Sequence, residues 1–489
     1  MKNNAGVLWV LKWSGLILGQ ILCGVLVLVF PLYEVVGFSL FICLSVAACL
    51  AHKWALYLLL VFVYVLQDFA GFMVHVPGIT DRNLIPFYFP YLIVIASSFF
   101  IIRSMKPASE QNGPKLMNSM NIPIVVLLAY IALSLIWIRP FSYHLVMFFT
   151  FGLNMIIFYL FFHSVAEETF HQKLMYLWVF LGIFLSFVTL GSFWQESIET
   201  EHEIFPWLSL NFYMEQTMPD RANAFAHPNN SSLTLNLASF VTFGLFLFET
   251  IKVKKWFFFL SLCFIIFANF TTQSKAGFGS FFLMSNALIV FSSKLRGKKI
   301  RSVVFFNLLL IVIVLCSNLF IMGVEGKSQR YLKVSGTGGS ENSLSLRVEK
   351  WEAGLREMKK GMRMITGLGI GGYTYETEIV HPHSIYLAFF YDFGLVGILF
   401  LSGTGIILLR NFGVIEMGKQ ILYTQETYLQ IMSLAFFCGL GAIAIHGTID
   451  ITYFRGTLWM FLGLAMTTFR MTRLELLKTR GKIKNDTSG

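Results

Sequence analysis

The stretch SVVFFNLLLIVIVLCSNLFIM, residues 302–322, decides the fold class because it contains no charged side chain. A helix needs roughly 17 to 25 apolar residues to cross a hydrocarbon core of about 30 Å. A charge at mid-membrane costs about 3 kcal/mol, so a long charge-free run predicts a transmembrane helix.

Similar runs recur along the whole chain. It has 489 residues, of which 56% are hydrophobic and 13% charged, whereas soluble domains contain about 25% charged residues. We therefore predict an all-α fold, a polytopic integral membrane bundle of about 12–14 transmembrane helices with a long extracytoplasmic loop. The apolar runs have approximate cores at 14–31, 36–51, 54–70, 84–102, 122–138, 145–163, 174–193, 232–251, 256–271, 277–293, 302–322, 384–409, 429–449 and 453–469.

Four regions follow from this pattern. Helices 1–11 occupy residues 1–322, the extracytoplasmic loop occupies 323–383, helices 12–14 occupy 384–470, and a basic tail occupies 471–489. The first run lacks a signal-peptide cleavage site and is followed at once by another run.

Lysine and arginine set the expected orientation. Placing both termini in the cytoplasm puts most basic residues on the inner side, as the positive-inside rule requires. The net charge of +11 then reflects orientation and attraction to anionic inner-leaflet lipid, and we expect no nucleic acid partner. The short outer segments keep Arg82, Arg139, Arg221, Lys275 and Arg455.

The loop of residues 323–383 is too long for a turn, and long structured loops are usually functional. Apolar residues at helical spacing within this loop predict an amphipathic helix, which lies either on the outer membrane surface or over the spans. We expect Arg347 to project from the same side as Trp351, four residues later. The helical stripe comprises Leu344, Val348, Trp351, Leu355 and Met358.

Glycines after this helix spell G-x-G-x-x-G at Gly367, Gly369 and Gly372. The pattern follows a helix and lies in the outer loop, so we reject a dinucleotide site. Acidic motifs with metal-ligand spacing are missing as well, and the six cysteines fall inside the predicted spans. The sequence therefore predicts neither a metal ion nor a cofactor.

The outer cations favour an anionic ligand whose body lies in the lipid. Guanidinium groups match phosphate oxygens bidentately. The alternative is that each cation is an interfacial anchor at a helix end. His383 has a similar pair of interpretations: it is a polar interfacial residue, or it is a general base that activates a hydroxyl.

Four sequence blocks carry a resemblance. They are DRANAFAHPNNSSLTLNL (220–237), TTQSKAGFGSF (271–281), SLSLRVEKWEAGL (343–355) with ITGLGIGGY (365–373), and HSIYL (383–387) with FFYDFGLVGILF (389–400). In this order they resemble the motifs of the O-antigen ligase and Wzy-type polysaccharide polymerase superfamily, and the chain is similar to its Gram-positive teichuronic acid polymerase branch. Two positions depart from the pattern: Ser384 replaces the usual Asn, and Lys275 replaces the usual Arg.

The resemblance implies a metal-independent glycosyltransferase on the outer face of the cytoplasmic membrane. Its partners would be a polyprenyl-diphosphate-linked glycan donor, a glycan acceptor, the lipid bilayer and other membrane proteins of polysaccharide assembly. His383 and Arg221 would be catalytic. The diphosphate and glycan would be bound by Arg221, Lys275, Arg347, His381 and His227, with Arg82, Arg139 and Arg455 assigned by position alone.

The sequence leaves the acceptor open. A polymerase joins the donor glycan to another carrier-linked repeat, whereas a ligase moves it to a different molecule; we favour the polymerase. A lipid-linked oligosaccharide flippase is the alternative from another class. It fits less well, because the sequence shows no internal repeat and its charges sit at the outer ends of the spans.

Overall fold

The computed structural model describes the chain in several stretches. They are residues 52–61, 63, 70–74, 85–88, 125–136, 141–193, 198–205, 208–214, 222, 227–292, 299–323, 341–377, 382–411, 427–448 and 455–486. The predicted spans at 14–31 and 36–51 lie outside the described residues.

Helices dominate these stretches. In chain order they are α1 (His52–Val61), α2 (Val125–Ser134), α3 (Phe141–Ser164), α4 (Glu168–Gly191), α5 (Pro228–Phe248), α6 (Lys252–Thr271), α7 (Lys275–Phe291), α8 (Lys299–Gly323), α9 (Glu341–Met358), α10 (Arg363–Thr366), α11 (Gly372–Thr377), α12 (Ile385–Asn411), α13 (Tyr428–His446) and α14 (Gly456–Asp486).

The predicted polytopic helical bundle is confirmed. Among the described residues, six helices are long and apolar enough to cross a membrane, and α2, α7 and the first part of α12 are shorter apolar helices. The charge-free stretch of residues 302–322 forms most of α8. At the end of the chain, α14 runs on to Asp486 through most of the segment expected to be a separate tail.

Close helix contacts and buried hydroxyls hold the bundle together, as is typical in lipid, where the hydrophobic effect between helices is weak. Gly463 of α14 lies against α3, because a β-carbon there would be 2.7 Å from the Phe158 carbonyl oxygen. Thr467 donates a hydrogen bond of 3.0 Å to the Phe161 carbonyl. His171 of α4 is buried and bonded to Tyr428 of α13 and to Thr468 of α14, each at 2.8 Å.

A small antiparallel sheet accompanies the bundle, and the sequence did not predict it. Its four strands are β1 (Ala70–Val74), β2 (Ile85–Tyr88), β3 (Ile198–Phe205) and β4 (Leu208–Met214), in the order β2-β1-β4-β3. Two of them, β1 and β2, touch the ranges 54–70 and 84–102, where helical spans were expected. The other two belong to the long segment before α5, so β1 and β4 join two segments that are distant in sequence.

One helix is broken. The sequence predicted a continuous span over 384–409, but α12 has non-helical backbone angles at Gly394, with φ 63° and ψ −159°. A broken helix frees backbone groups, and within a membrane other protein groups must satisfy them. The segment that does so is the glycine-rich stretch before His383.

Candidate functional site

Helix α9 presents a face of mixed character to the rest of the protein. Met358 and Gly354 are buried, and Lys350 and Trp351 are partly buried. Two residues of the expected stripe, Trp351 and Met358, lie on this packed face, whereas Val348 and Leu355 are 40% and 41% exposed. The packed face is turned because Gly354 lets the helix lie directly on the Tyr391 ring.

Two neighbouring residues of this face bind the segment that carries His383. The Lys350 Nζ lies 2.9 Å from the His383 Nε2. Because an ammonium group only donates, Nε2 accepts, and this requires the tautomer with its proton on Nδ1. The Trp351 indole donates a hydrogen bond of 2.7 Å to the Pro382 carbonyl. Helix α9 therefore fixes both the backbone before His383 and the orientation of its ring.

His383 itself has a strained backbone with φ 52°, in the left-handed region. Among the described residues only one other non-glycine residue has a positive φ, and this is Gln273, φ 51°, two residues before Lys275. Such strain costs about 1–3 kcal/mol, persists only where neighbours impose it, and concentrates at functional sites. Both positions fall in the sequence blocks that carried the resemblance.

The glycine-rich stretch is the support for this arrangement. The Leu368 and Gly369 amides donate to the Tyr391 and Asp392 carbonyls, each at 2.8 Å, where the break in α12 leaves those oxygens free. Gly367 has φ 77° and packs so closely that a β-carbon would overlap the Asp392 carbonyl. The glycines thus permit a close backbone approach between this stretch and α12.

Asp392 completes the joint between this stretch and α12. Its buried carboxylate accepts hydrogen bonds of 3.0 Å from the amides of Gly371 and Tyr373. We name the glycine-rich joint as residues 366–373 together with 391–394. The His144 Nδ1 lies 2.6 Å from the Ile370 carbonyl, and the Tyr130 hydroxyl donates to the Thr366 carbonyl at 2.5 Å, so α2 and α3 also hold the joint.

Two stacked tyrosines connect the joint to α9. The rings of Tyr373 and Tyr391 are 5.1 Å apart, and their hydroxyls donate to the carbonyls of Lys350 and Trp351 at 2.9 Å and 2.8 Å. Burial, and secondarily the neighbouring Tyr391, raises the pKa of the Tyr373 phenol well above its usual range. Tyr373 therefore stays neutral and keeps donating to the backbone of Lys350.

A second group surrounds Lys275, which lies exposed at the first position of α7. Ser274 caps the helix by accepting from the Gly277 amide at 3.2 Å. A chain of buried hydrogen bonds then joins α5, α6 and α7. It runs from Ser232 to Asn269 (2.6 Å), from Asn269 to Asn236 (2.6 Å) and from Asn236 to the Gly277 carbonyl (2.9 Å).

Arg221 lies outside the described residues, but its neighbour Ala222 does not. The Ala222 amide donates a hydrogen bond of 3.1 Å to the carbonyl of Thr271, which ends α6 four residues before Lys275. Ala222 is also fully buried. The Ala222 backbone therefore lies against the turn between α6 and α7 that presents Lys275.

The two groups share one end of the bundle. Phe248 at the end of α5 contacts Tyr428 at the start of α13, with ring centroids 5.3 Å apart. One turn before Phe248 on α5, Gly244 adjoins Ala435, which is seven residues after Tyr428, so the two helices run antiparallel. The start of α5 is thus level with the end of α13, where the Gly447 carbonyl accepts the Ile385 amide at 2.9 Å.

The other predicted site residues have different placements. Arg347 is partly buried on α9, one turn before Lys350 and Trp351, and Arg455 is partly buried immediately before α14. His227 caps α5, because its Nδ1 accepts the Asn229 amide at 3.3 Å, which gives it a structural task. His381, Arg82 and Arg139 lie outside the described residues.

Sequence reasoning missed three residues of this end of the protein. Lys350 shares a helix face with Arg347 and Trp351, and this spacing was a usable signal. Asp392 was visible as a carboxylate inside an apolar run, which in membranes usually marks a function or a built interaction. His446, fully buried beside Gly447, carried no pattern that distinguished it from other polar residues near a span end.

Residues 256–402 match a family model described as O-antigen ligase, Wzy_C. The predicted superfamily is thereby confirmed for a segment that includes Lys275, Arg347, Lys350, His383 and Asp392. The match supports, at a coarse level, a glycosyltransferase-like membrane enzyme that acts on lipid-linked glycans. No curated protein matches the chain.

Proposed function

We propose, from the premise that residues 256–402 form an O-antigen ligase domain, that the chain polymerises polyprenyl-diphosphate-linked oligosaccharide repeats. The reaction would take place at the extracytoplasmic face of the cytoplasmic membrane and would produce a cell-surface or cell-wall polysaccharide. The observation that carries the proposal is His383, held in strained backbone by the contacts of Lys350 and Trp351.

His383 would be the general base. The acceptor hydroxyl oxygen attacks the anomeric carbon of the donor glycan while an imidazole nitrogen takes the hydroxyl proton. The bond from that carbon to the diphosphate oxygen breaks, and the electron pair leaves with the diphosphate. A positioned base contributes roughly 10²–10⁴-fold to such a step.

Lys350 would make the availability of the base depend on the presence of the donor. In this structure its ammonium occupies the His383 Nε2 at 2.9 Å. A diphosphate bound nearby would attract the ammonium, since the four-carbon stem is flexible and its head is a point charge. Movement of Lys350 onto the donor would free Nε2 for the acceptor proton, so that the base becomes available when the donor is bound.

The donor diphosphate would lie among the cations at this end of the bundle. Arg221 and Lys275 are the first candidates, because Ala222, the residue after Arg221, is bonded to the Thr271 carbonyl close to Lys275. Arg347 is the third, on the helix that contacts His383. Stabilising the charge of the departing diphosphate is expected to be the larger catalytic contribution. We assign secondary roles to His381, His227, Arg82, Arg139 and Arg455.

The test resolves lipid-linked products by size after the purified protein is incubated with a lipid-diphosphate-linked repeat unit in the presence of a chelator. The proposal predicts a ladder of repeats. Transfer only when a foreign acceptor is supplied would overturn the polymerase in favour of a ligase. Silence in both reactions, with flipping of the lipid-linked glycan across vesicle membranes, would favour a flippase.

A further inference from the structure

A cavity of about 330 Å³ lies between α5, α6 and α8, far from the glycine-rich joint. Phe246 and Leu247 in the last turn of α5 line it, together with Arg301 and Ser302 in the first turn of α8. The start of α5 adjoins the Lys275 group, so the cavity lies at the opposite end of the bundle.

The lining of the cavity is almost entirely apolar. Apart from Arg301 and Ser302 the lining residues are apolar, and four helices contribute to it, α7 with Ile289. Phe305, which forms one edge, is 62% exposed, so the cavity opens sideways where a membrane helix meets lipid. Its volume falls within the roughly 300–1,000 Å³ of small-molecule sites, and its walls suit a hydrocarbon chain.

Two cationic side chains, Arg301 and Lys255, lie beside the cavity. Arg301 lines it, and the Lys255 Nζ lies 5.3 Å from the ring centroid of Phe246, a lining residue. Glu249 is the acidic residue of the turn between α5 and α6. Its carboxylate accepts hydrogen bonds from the amides of Thr250 and Ile251 at 3.0 Å and 2.9 Å. Glu249 keeps its negative charge, but among the described residues it forms no ion pair with Arg301 or Lys255.

We propose that this cavity binds one anionic diacyl phospholipid from the leaflet at that end of the bundle. One acyl chain would enter past Phe305 and lie along the aromatic lining. The headgroup phosphate would sit between Arg301 and Lys255, with the Ser302 hydroxyl as an additional donor. Basic pockets between transmembrane helices recognise anionic lipid headgroups in this manner.

Native mass spectrometry of the full-length protein tests this site without any glycan substrate, so its outcome is independent of the proposed function. The protein in detergent is titrated separately with phosphatidylglycerol, phosphatidylethanolamine and a polyprenyl monophosphate. We expect phosphatidylglycerol to be retained best. Each cation near an anionic headgroup contributes about 1 kcal/mol, so Arg301→Gln and Lys255→Gln should each weaken retention about fivefold.

Two further variants separate a site from general lipid association. Cys263→Phe places a larger side chain in the lining and should reduce retention of phosphatidylglycerol, whereas the exposed Lys254→Gln on the same helix should leave it unchanged. Equal retention of the two phospholipids, or insensitivity to both Arg301→Gln and Cys263→Phe, would overturn the proposal. Preferential retention of the polyprenyl monophosphate would also overturn it and assign the cavity to the carrier.

Discussion

Replacement of Asp392 by Asn should loosen the glycine-rich joint without unfolding the bundle. The carboxylate accepts two amide hydrogen bonds of 3.0 Å in a buried place. Bonds to a charged group contribute about 1.5–3 kcal/mol each. An Asn side chain has one acceptor oxygen for these two donors, so one buried amide loses its partner at a cost of about 1–3 kcal/mol. Because the second hydrogen bond is also weakened, we expect the free energy of opening of the joint to fall by about 2–4 kcal/mol in total.

Hydrogen–deuterium exchange measures this cost locally. An opening free energy lower by 2–4 kcal/mol corresponds to exchange about 30- to 700-fold faster at the amides of Gly371 and Tyr373. Amides in the middle of α5 should keep their wild-type exchange rates. Glycan transfer should fall in parallel, because Tyr373 connects the joint to the backbone of Lys350.

Glu357→Gln is the matched control, since it also removes a carboxylate charge from this region. Glu357 pairs with Lys360 at 2.6 Å and with Arg363 at 2.9 Å; the side chains of Glu357, Arg363 and Lys360 are 17%, 33% and 61% exposed, so both pairs have at least one partner in contact with solvent. Surface ion pairs contribute about 0–1 kcal/mol, so exchange at the joint should change little. Wild-type exchange at Gly371 and Tyr373 in Asp392→Asn would refute the structural role of the carboxylate.

Further substitutions test other contacts. An alanine in the left-handed region costs about 1–2 kcal/mol. Gly367→Ala should destabilise the protein by well over that amount in a thermal unfolding assay, because its β-carbon would meet the Asp392 backbone. Gly361→Ala, with φ 60° and open space around it, should cost only about that amount, and equal costs would contradict this packing. Trp351→Phe removes the 2.7 Å bond to the Pro382 carbonyl and should slow glycan transfer while lowering stability by only ~1 kcal/mol; an unchanged rate would contradict a positioning role. Asn269→Ala breaks the buried hydrogen-bond chain between α5 and α6 and should lower the free energy of unfolding by about 1–3 kcal/mol, which denaturation in detergent would measure; wild-type stability would show that the chain contributes nothing.

The sequence predicted those features of the fold that depend on long apolar runs. A span such as α8 needs no tertiary information, because lipid excludes charge along its whole length. The break in α12 was different, because Gly394 stands in an apolar run that reads as one helix. The amides that satisfy the Tyr391 and Asp392 carbonyls at this break come from residues twenty-three positions earlier. The antiparallel sheet also depends on pairing between distant segments, which local pattern does not encode.

The candidate site was predictable to the extent that short motifs marked it. His383 and Lys275 were found because each lies in a recognisable block before a helix, and the structure adds that a strained residue accompanies each block. Lys350 was missed because its role arises from a contact between α9 and a loop thirty-three residues later. The packed face of α9 agrees with the predicted stripe only at Trp351 and Met358, because apolar spacing alone did not show that Gly354 would allow the Tyr391 ring to approach.

The most direct test of the central claim compares donor binding with single-turnover transfer in two variants, using a lipid-diphosphate-linked glycan. His383→Ala should bind the donor as the wild type does but transfer it at least about 10²-fold more slowly. Lys275→Ala should weaken donor binding. His163→Ala is the control: His163 lies at the end of α3 opposite His144, and its replacement should change neither donor binding nor the transfer rate. Transfer by His383→Ala at the wild-type rate would contradict the assignment of His383 as the base.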